Sequence, residues 1–224
     1  MNSRLLRCWF VLLGGLLLSC ALSAQDLLDQ VDLDSPEMTE AEMTRDEVES
    51  LIATARETGS RLDLSNRRLS GLDLGGLDLA GANLRWARLI RSDLSDTDLR
   101  DTDLGLAWLI EADLQGADLR GATLFSTQMQ RANLRDADLR GARIVANLTE
   151  ADLRDADLRG ADMAADMRNQ SMGLMRAVLR SVDARGADFR EARMGHVDAR
   201  YATLRKTRLQ GADLNNAELG GADL

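Results

Sequence analysis

Ala112-Asp113-Leu114-Gln115-Gly116-Ala117-Asp118-Leu119-Arg120-Gly121 contains one five-residue unit twice over. A leucine stands at its centre, an aspartate or asparagine one position earlier, and a small residue, most often alanine, two positions earlier. Counting by the apolar centre, the unit recurs without interruption from Leu64 to Ile144, and Met129 and Ile144 are the only non-leucine centres in that run. Ile144 and Leu148 are four residues apart, so the phase slips by one. Leu148, Leu153, Leu158 and Met163 carry the pattern on, and it blurs over 164–178. It resumes at Leu179 and continues through Ala184, Phe189, Met194, Ala199, Leu204, Leu209, Leu214 and Leu219 to Leu224, giving 31 clear units in all.

A period of five fits neither an amphipathic helix, which repeats near 3.6, nor a half-buried strand, which repeats near 2. A Gly, Ser, Asp or Asn in nearly every unit further opposes helix. Each unit reads as a short extended side followed by a turn, with the centre and the small residue pointing inward and the other three outward. Asp and Asn suit such turns because their side chains hydrogen-bond nearby backbone. A strict short repeat builds a stacked solenoid, which offers a rigid surface rather than an enclosed cleft.

Units such as Ala132-Asn133-Leu134-Arg135-Asp136 and Ala212-Asp213-Leu214-Asn215-Asn216 resemble those of the pentapeptide-repeat proteins, and the resemblance covers 61–224. It implies an all-β solenoid, a right-handed quadrilateral β-helix with four units per coil. That gives about eight coils and, at the ~4.8 Å spacing of neighbouring strands, a rod about 38 Å long. The family does not imply one function. Some members bind DNA gyrase and protect it from quinolones by resembling DNA in shape and charge.

The first residues read differently. Arg4 and Arg7 precede an apolar run from Trp9 to Leu18 that is short for a bilayer span, and small residues follow. Residues 1–24 therefore read as a secretory signal peptide. Two cleavage readings stand side by side. Leu17-Leu18-Ser19-Cys20 resembles a bacterial lipobox, which makes Cys20 a lipidation candidate. Ala21-Leu22-Ser23 and Ser23-Ala24-Gln25 resemble ordinary signal-peptidase sites. The expected destination is the periplasm, a membrane-anchored lipoprotein or the medium, with membrane contact only through a lipid on Cys20. Cys8 and Cys20 are the only cysteines, so neither an internal disulfide nor a cysteine zinc site is expected.

Residues 25–60 hold 11 acidic residues against Arg45 and Arg56, whereas 61–224 hold 26 against 24 basic ones. The acidic balance thus lies in the leader. Its first part reads as a solvated spacer. Thr44 with Glu47 forms a capping box, Val48, Leu51, Ile52 and Ala55 make a helical stripe, and Gly59 is a stop. A helix over roughly 45–57 is expected, capping the open first coil, because solenoid ends expose core and strand edges. Leu62, Leu72 and Leu77 replace alanine at the small inward position and are expected to distort the early coils.

No enzyme chemistry, cofactor or metal site is expected. His196 is the only histidine and Ser126, Ser171 and Ser181 have no matching His and Asp. The glycines follow the repeat and form no phosphate loop, and the aspartate columns read as structural. The surface says more. Stacking residues one coil apart puts Trp86 beside Leu106, Arg88 beside Trp108 in cation–π range, Ile90 beside Ile110 and Gly105 beside Phe125. Taken as outward, Trp86, Ile90, Leu106, Trp108, Ile110 and Phe125 form one apolar patch with Arg88, in a chain with only seven aromatics. Such a patch marks an interaction site, here for another envelope protein. The alternative is that the acidic leader or the helix folds back over it.

Two irregular regions remain. Segment 164–178, with Met167, Met172 and Met175, reads as core and corner, a register correction after the slip, with a loop leaving the rod as the alternative. At the other end Leu209, Leu214, Leu219 and Leu224 stand edge-on in the last coil, and a two-fold, tail-to-tail homodimer is expected there. Nucleic acid is not an expected partner. The function expected is a non-enzymatic binding or scaffolding protein of the bacterial envelope. The alternative, a DNA-mimic type protein on gyrase or topoisomerase, is opposed by the signal peptide and the near-neutral solenoid.

Overall fold

The computed structural model describes residues 32–165 and 175–224. The five-residue unit is explained by where its backbone donors go. In the unit around Leu79, the Leu79 N–H donates to Asp98 O (2.8 Å) and the Gly81 N–H to Arg100 O (2.7 Å), both on the following coil. The Ala82 N–H turns back to Leu79 O (3.0 Å), and the Asn83 N–H reaches Leu62 O (2.9 Å) on the preceding coil. The fifth donor, the Ala80 N–H, goes to Asp78 Oδ1 (3.1 Å). Every N–H is paired, as buried backbone requires. The aspartate supplies the acceptor that neither neighbouring coil provides. The same link recurs at Asp73–Gly75 (3.0 Å), Asp113–Gln115 (3.0 Å), Asp152–Arg154 (3.1 Å) and Asp213–Asn215 (3.0 Å).

The turn explains the glycines. Its third residue lies at positive φ, as in Gly81 (69°), Gly116 (67°) and Gly141 (66°). That is the type II turn, which glycine enters without steric penalty. At Gly116 an added Cβ would also lie 2.4 Å from Asp96 Oδ1, whereas at Gly141 it would meet nothing within 4 Å. Gly116→Ala is therefore expected to destabilise by about 1–2 kcal/mol from the left-handed backbone alone, plus the displacement of Asp96. Gly141→Ala should show only the backbone part. Urea unfolding of both variants checks the difference, and equal losses would remove the role given to Asp96.

Successive coils pair in parallel along four columns, Asp63↔Asn83↔Asp103, Arg68↔Arg88↔Trp108, Asp73↔Asp93↔Asp113 and Asp78↔Asp98↔Asp118, each advancing twenty residues per step. The step falls to nineteen at Asn133↔Asp152. Strand β1 (Thr123–Gln128) pairs there with β2 (Arg143–Asn147), with a register shift between Phe125 and Gln128. The missing residue straightens the corner, and Val145 and Ala146 are buried. The step rises to thirty-one at Asn147↔Val178 and Asp162↔Arg193, then returns to twenty at Val178↔Asp198. The coil containing 164–178 thus holds eleven residues beyond twenty. The coils on either side still pair directly, so the ladder needs no register correction there and the segment is an insertion. Met167 and Met172 lie outside the described residues.

The core is a stack of the centres, from Leu64 through Leu109 to Leu204, with the small residues Ala82 to Ala202 beside them, all buried. Where a hydroxyl replaces alanine it stays satisfied. Ser92 Oγ donates to Leu69 O (3.1 Å), Thr97 Oγ1 to Leu74 O (3.1 Å) and Thr127 Oγ1 to Leu104 O (2.9 Å), as buried polar groups require.

Among the described residues two helices precede the repeats, the single turn α1 (Pro36–Thr39) and α2 (Arg45–Thr58). In α2 the Thr44 N–H donates to Glu47 Oε2 (2.7 Å) and the Glu47 N–H to Thr44 Oγ1 (3.3 Å), and Gly59 ends the helix in the left-handed conformation. Val48 and Ile52 join the solenoid core, and Leu62, Leu72 and Leu77 pack partly buried against that cluster. Arg45 bridges Asp73 (2.7 Å) and Arg56 bridges Asp78 (2.5 Å). The early coils keep the twenty-residue step, so the three large leucines do not distort them.

Candidate functional site

The corner after Leu84 and Leu104 carries bulky residues where the backbone favours glycine. Trp86 has φ 61° and Leu106 φ 63°, a region that costs an ordinary residue about 1–2 kcal/mol. Some other non-glycine corners have a visible compensation. On the adjacent corner, Glu111 bridges Arg91 (2.7 Å) and Arg131 (2.6 Å). Tyr201 (φ 61°) lies over Gly221, where an added Cβ would meet its ring at 2.6 Å. Trp86 stands 51 % exposed, and Tyr201 69 %. Bulky side chains held at positive φ point to function rather than stability.

Around it, Leu106, Trp108 and Phe125 are half-buried. Ile90 and Ile110 are not on the surface: they are 1 % and 3 % exposed, which corrects the expectation that both point into solvent. They occupy the trough between the Arg88–Trp108–Gln128 row and the Arg91–Glu111–Arg131 corner, and the leader crosses that trough. Arg88 Nη1 donates to Glu37 O (2.8 Å), Arg91 Nη1 meets Asp34 Oδ1 (2.9 Å), and the Glu42 N–H donates to Arg68 O (2.9 Å). Met38 is buried in the same stretch. Arg88 stands in register with Trp108, but its guanidinium goes to the leader. The exposed remainder of the patch is Trp86 with Leu106, Trp108 and Phe125.

One face of the rod is polar and internally paired. Arg100, Arg120, Arg140 and Arg159 each fold back onto the aspartate two positions earlier. They also approach the next coil, as in Arg100–Asp118 (3.7 Å) and Arg120–Asp138 (3.6 Å). Exposed pairs of this kind add little stability each, but they neutralise the face.

A second cluster escaped sequence reading. Asp198 is fully buried and takes Arg180 Nε (2.5 Å), Arg200 Nε and Nη2 (2.8 Å each) and Arg176 Nη2 (3.4 Å). Burial alone would raise its pKa, but Arg200 and Arg180 outweigh burial and bring it to about 2. Arg176 Nη1 also reaches Glu218 Oε1 (2.5 Å), so the chain leaving the insertion is fastened to the rod. Asp198 sits at an ordinary aspartate position of the repeat, and Arg176 reaches it from two residues before Val178, the partner of Asp198 in the twenty-residue step.

The profile for pentapeptide repeats matches eight copies, over residues 68–105, 107–141, 146–164 and 192–224. The chain belongs to the pentapeptide-repeat family. Its fold is accordingly a right-handed β-helix solenoid. Full-length QnrB1, a plasmid-mediated fluoroquinolone resistance protein, superposes with a TM-score of 0.51 at 17 % identity, covering 74 % of this chain and 84 % of its own. At that identity the likeness shows the fold alone. The pentapeptide-repeat protein alr5209 from Nostoc PCC 7120 is 38 % identical over 45 % of this chain and 79 % of its own, with a TM-score of 0.41. HetL, involved in heterocyst differentiation regulation in Nostoc sp. strain PCC 7120, is 24 % identical over 76 % of this chain and 94 % of its own, with a TM-score of 0.35. No curated protein matches the chain.

On this pentapeptide-repeat rod His196 Nε2 lies 3.3 Å from Asn216 Nδ2 on the next coil. In the last coil Leu209, Leu214 and Leu219 are partly buried and Leu224 is 75 % exposed. Cys20 and the whole of 1–24 lie outside the described residues.

Proposed function

We propose that this pentapeptide-repeat protein is a non-enzymatic binding or scaffolding protein of the bacterial envelope, a rod of about eight coils that presents one apolar corner to a protein partner. The observation that carries the reading is Trp86, half exposed and held at positive φ beside Leu106 on the next coil. A rigid solenoid displays such side chains with little ordering entropy left to lose on binding. The envelope location rests on the signal-like pattern of residues 1–24.

Trp86→Gly separates this role from a structural one. Glycine relieves the left-handed backbone, so the variant should be as stable as the parent or up to about 1 kcal/mol more stable. Capture of envelope proteins by the immobilised chain should nevertheless fall at least tenfold. Unchanged capture would overturn the assignment. A homodimer through Leu209, Leu214, Leu219 and Leu224 is a second proposed contact of the 224-residue chain, checked by light scattering.

A gyrase-binding DNA mimic has less support. The solenoid holds 26 acidic against 24 basic residues, and its aspartate columns are paired with arginine along successive coils. Inhibition of supercoiling by the purified chain would revive that reading.

A further inference from the structure

The leader segment Asp34–Glu42 lies in a groove whose chemistry is specific. Arg91 at one end pairs with Asp34, Arg88 in the middle donates to the Glu37 carbonyl, and Arg67 and Arg68 at the other end bridge Glu42 (3.1 and 3.4 Å). Between them Ile90 and Met38 are buried, 1 % and 7 % exposed. Neither belongs to the core cluster that runs along the rod. The groove is therefore a basic rim around an apolar floor, filled by an acidic segment with one unbranched apolar anchor.

The segment is weakly tied. Asp34, its outer anchor, is 79 % exposed, and exposed ion pairs contribute little. Helix α1 is a single turn, short of what holds itself together in water. By contrast α2 places two residues in the core. The segment can leave the groove while α2, the first coil and the ladders stay in place.

We infer that this groove is a docking site for a short acidic segment of another protein, carrying an acidic residue and a methionine-like apolar residue four positions later across a single helical turn, and that Asp34–Glu42 is its resident intramolecular occupant. Methionine suits such a site because its flexible side chain adapts to an irregular apolar floor. Departure of the resident segment would also uncover Ile90 next to Trp108. The inference does not depend on the Trp86 corner, which lies outside the groove contacts.

The test uses a fluorescein-labelled peptide with the sequence of residues 34–43 and the full chain in two forms. A resident segment competes at the high local concentration of a tethered ligand, so the unaltered chain should bind the peptide weakly. Met38→Asp in the full chain removes the anchor and should raise the affinity for the labelled peptide at least tenfold. Asp34→Arg, which repels Arg91, should do the same and guards against a folding defect peculiar to Met38→Asp. Adding Arg88→Glu to either should abolish binding, and affinity should fall with salt. Circular dichroism and melting establish that each chain is folded. Folded Met38→Asp and Asp34→Arg chains that both fail to bind the peptide would overturn the inference. So would binding indifferent to Arg88→Glu. New dimers without peptide binding would overturn it in favour of segment exchange between copies.

Discussion

Asp198→Ala is expected to lower the free energy of unfolding by about 3–5 kcal/mol, the range for removing one partner of a buried charge cluster. The magnitude follows from what remains. Arg176, Arg180 and Arg200 converge on this one carboxylate, and without it they keep only Glu218, which Arg176 and Arg200 reach. The effect has a pH signature. The carboxyl falls from 3.8 in the unfolded chain to about 2 in the folded one. Its stabilising contribution is therefore complete above the unfolded value and is lost as pH falls through the folded one. The stability gap between parent and Asp198→Ala should be constant from neutral pH to about 5 and shrink towards pH 2. Urea unfolding across that range measures it. A gap below 1 kcal/mol at neutral pH would mean that solvent already relieves the three arginines.

The second large effect is expected in the column of centres. Leu109 is fully buried between Leu89 and Met129, one coil to either side. Leu109→Ala should cost about 2–5 kcal/mol through lost transfer energy and an unfilled cavity. Each coil touches only its neighbours, so the same truncation at a centre that its flanking coils cover less should cost less. Leu219 is partly buried and should lose under half as much. Equal losses at both positions, at protein concentrations where the chain is monomeric, would contradict the nearest-neighbour account. Equality appearing only at high concentration would instead reveal that the terminal coil is covered by a second copy.

The fold was legible because period five leaves few options. Leu114 and Ala112 point inward and Asp113 outward for reasons that any two units display. The glycines follow the repeat in the sequence, but that Gly116 marks positive φ emerges only when the turn donor Ala117 N–H is seen on Leu114 O (3.1 Å). The site was half legible. Stacking by twenty correctly puts Trp86 beside Leu106 and Arg88 beside Trp108. It cannot say what lies on top of a face, so it places Ile90 and Ile110 on the surface when both are buried. An acidic leader with one proline and scattered apolar residues looks solvated by composition, and only the Glu37 carbonyl, Asp34 and Met38 in place show that it docks. Asp198 was invisible for another reason. Arg176, which completes its cluster, lies within 164–178, where the repeat blurs and the sequence gives it no place in a unit.

The twenty-residue step also sets which changes of length the rod tolerates. Eleven additional residues within one coil leave Asp188 in the same column as Asp157 and Arg193 in that of Asp162. No later residue changes side, because the addition is bypassed by the ladder. Duplicating a single five-residue unit inside the ladder would do the opposite. It would carry every subsequent side chain one side round the rod, separating Trp86 from Leu106 and breaking each aspartate–arginine column at the join. Unequal exchange between repeats is therefore tolerated here in whole coils, or outside the paired backbone. A grafted binding corner can be moved along this scaffold in increments of four units without disturbing its neighbours.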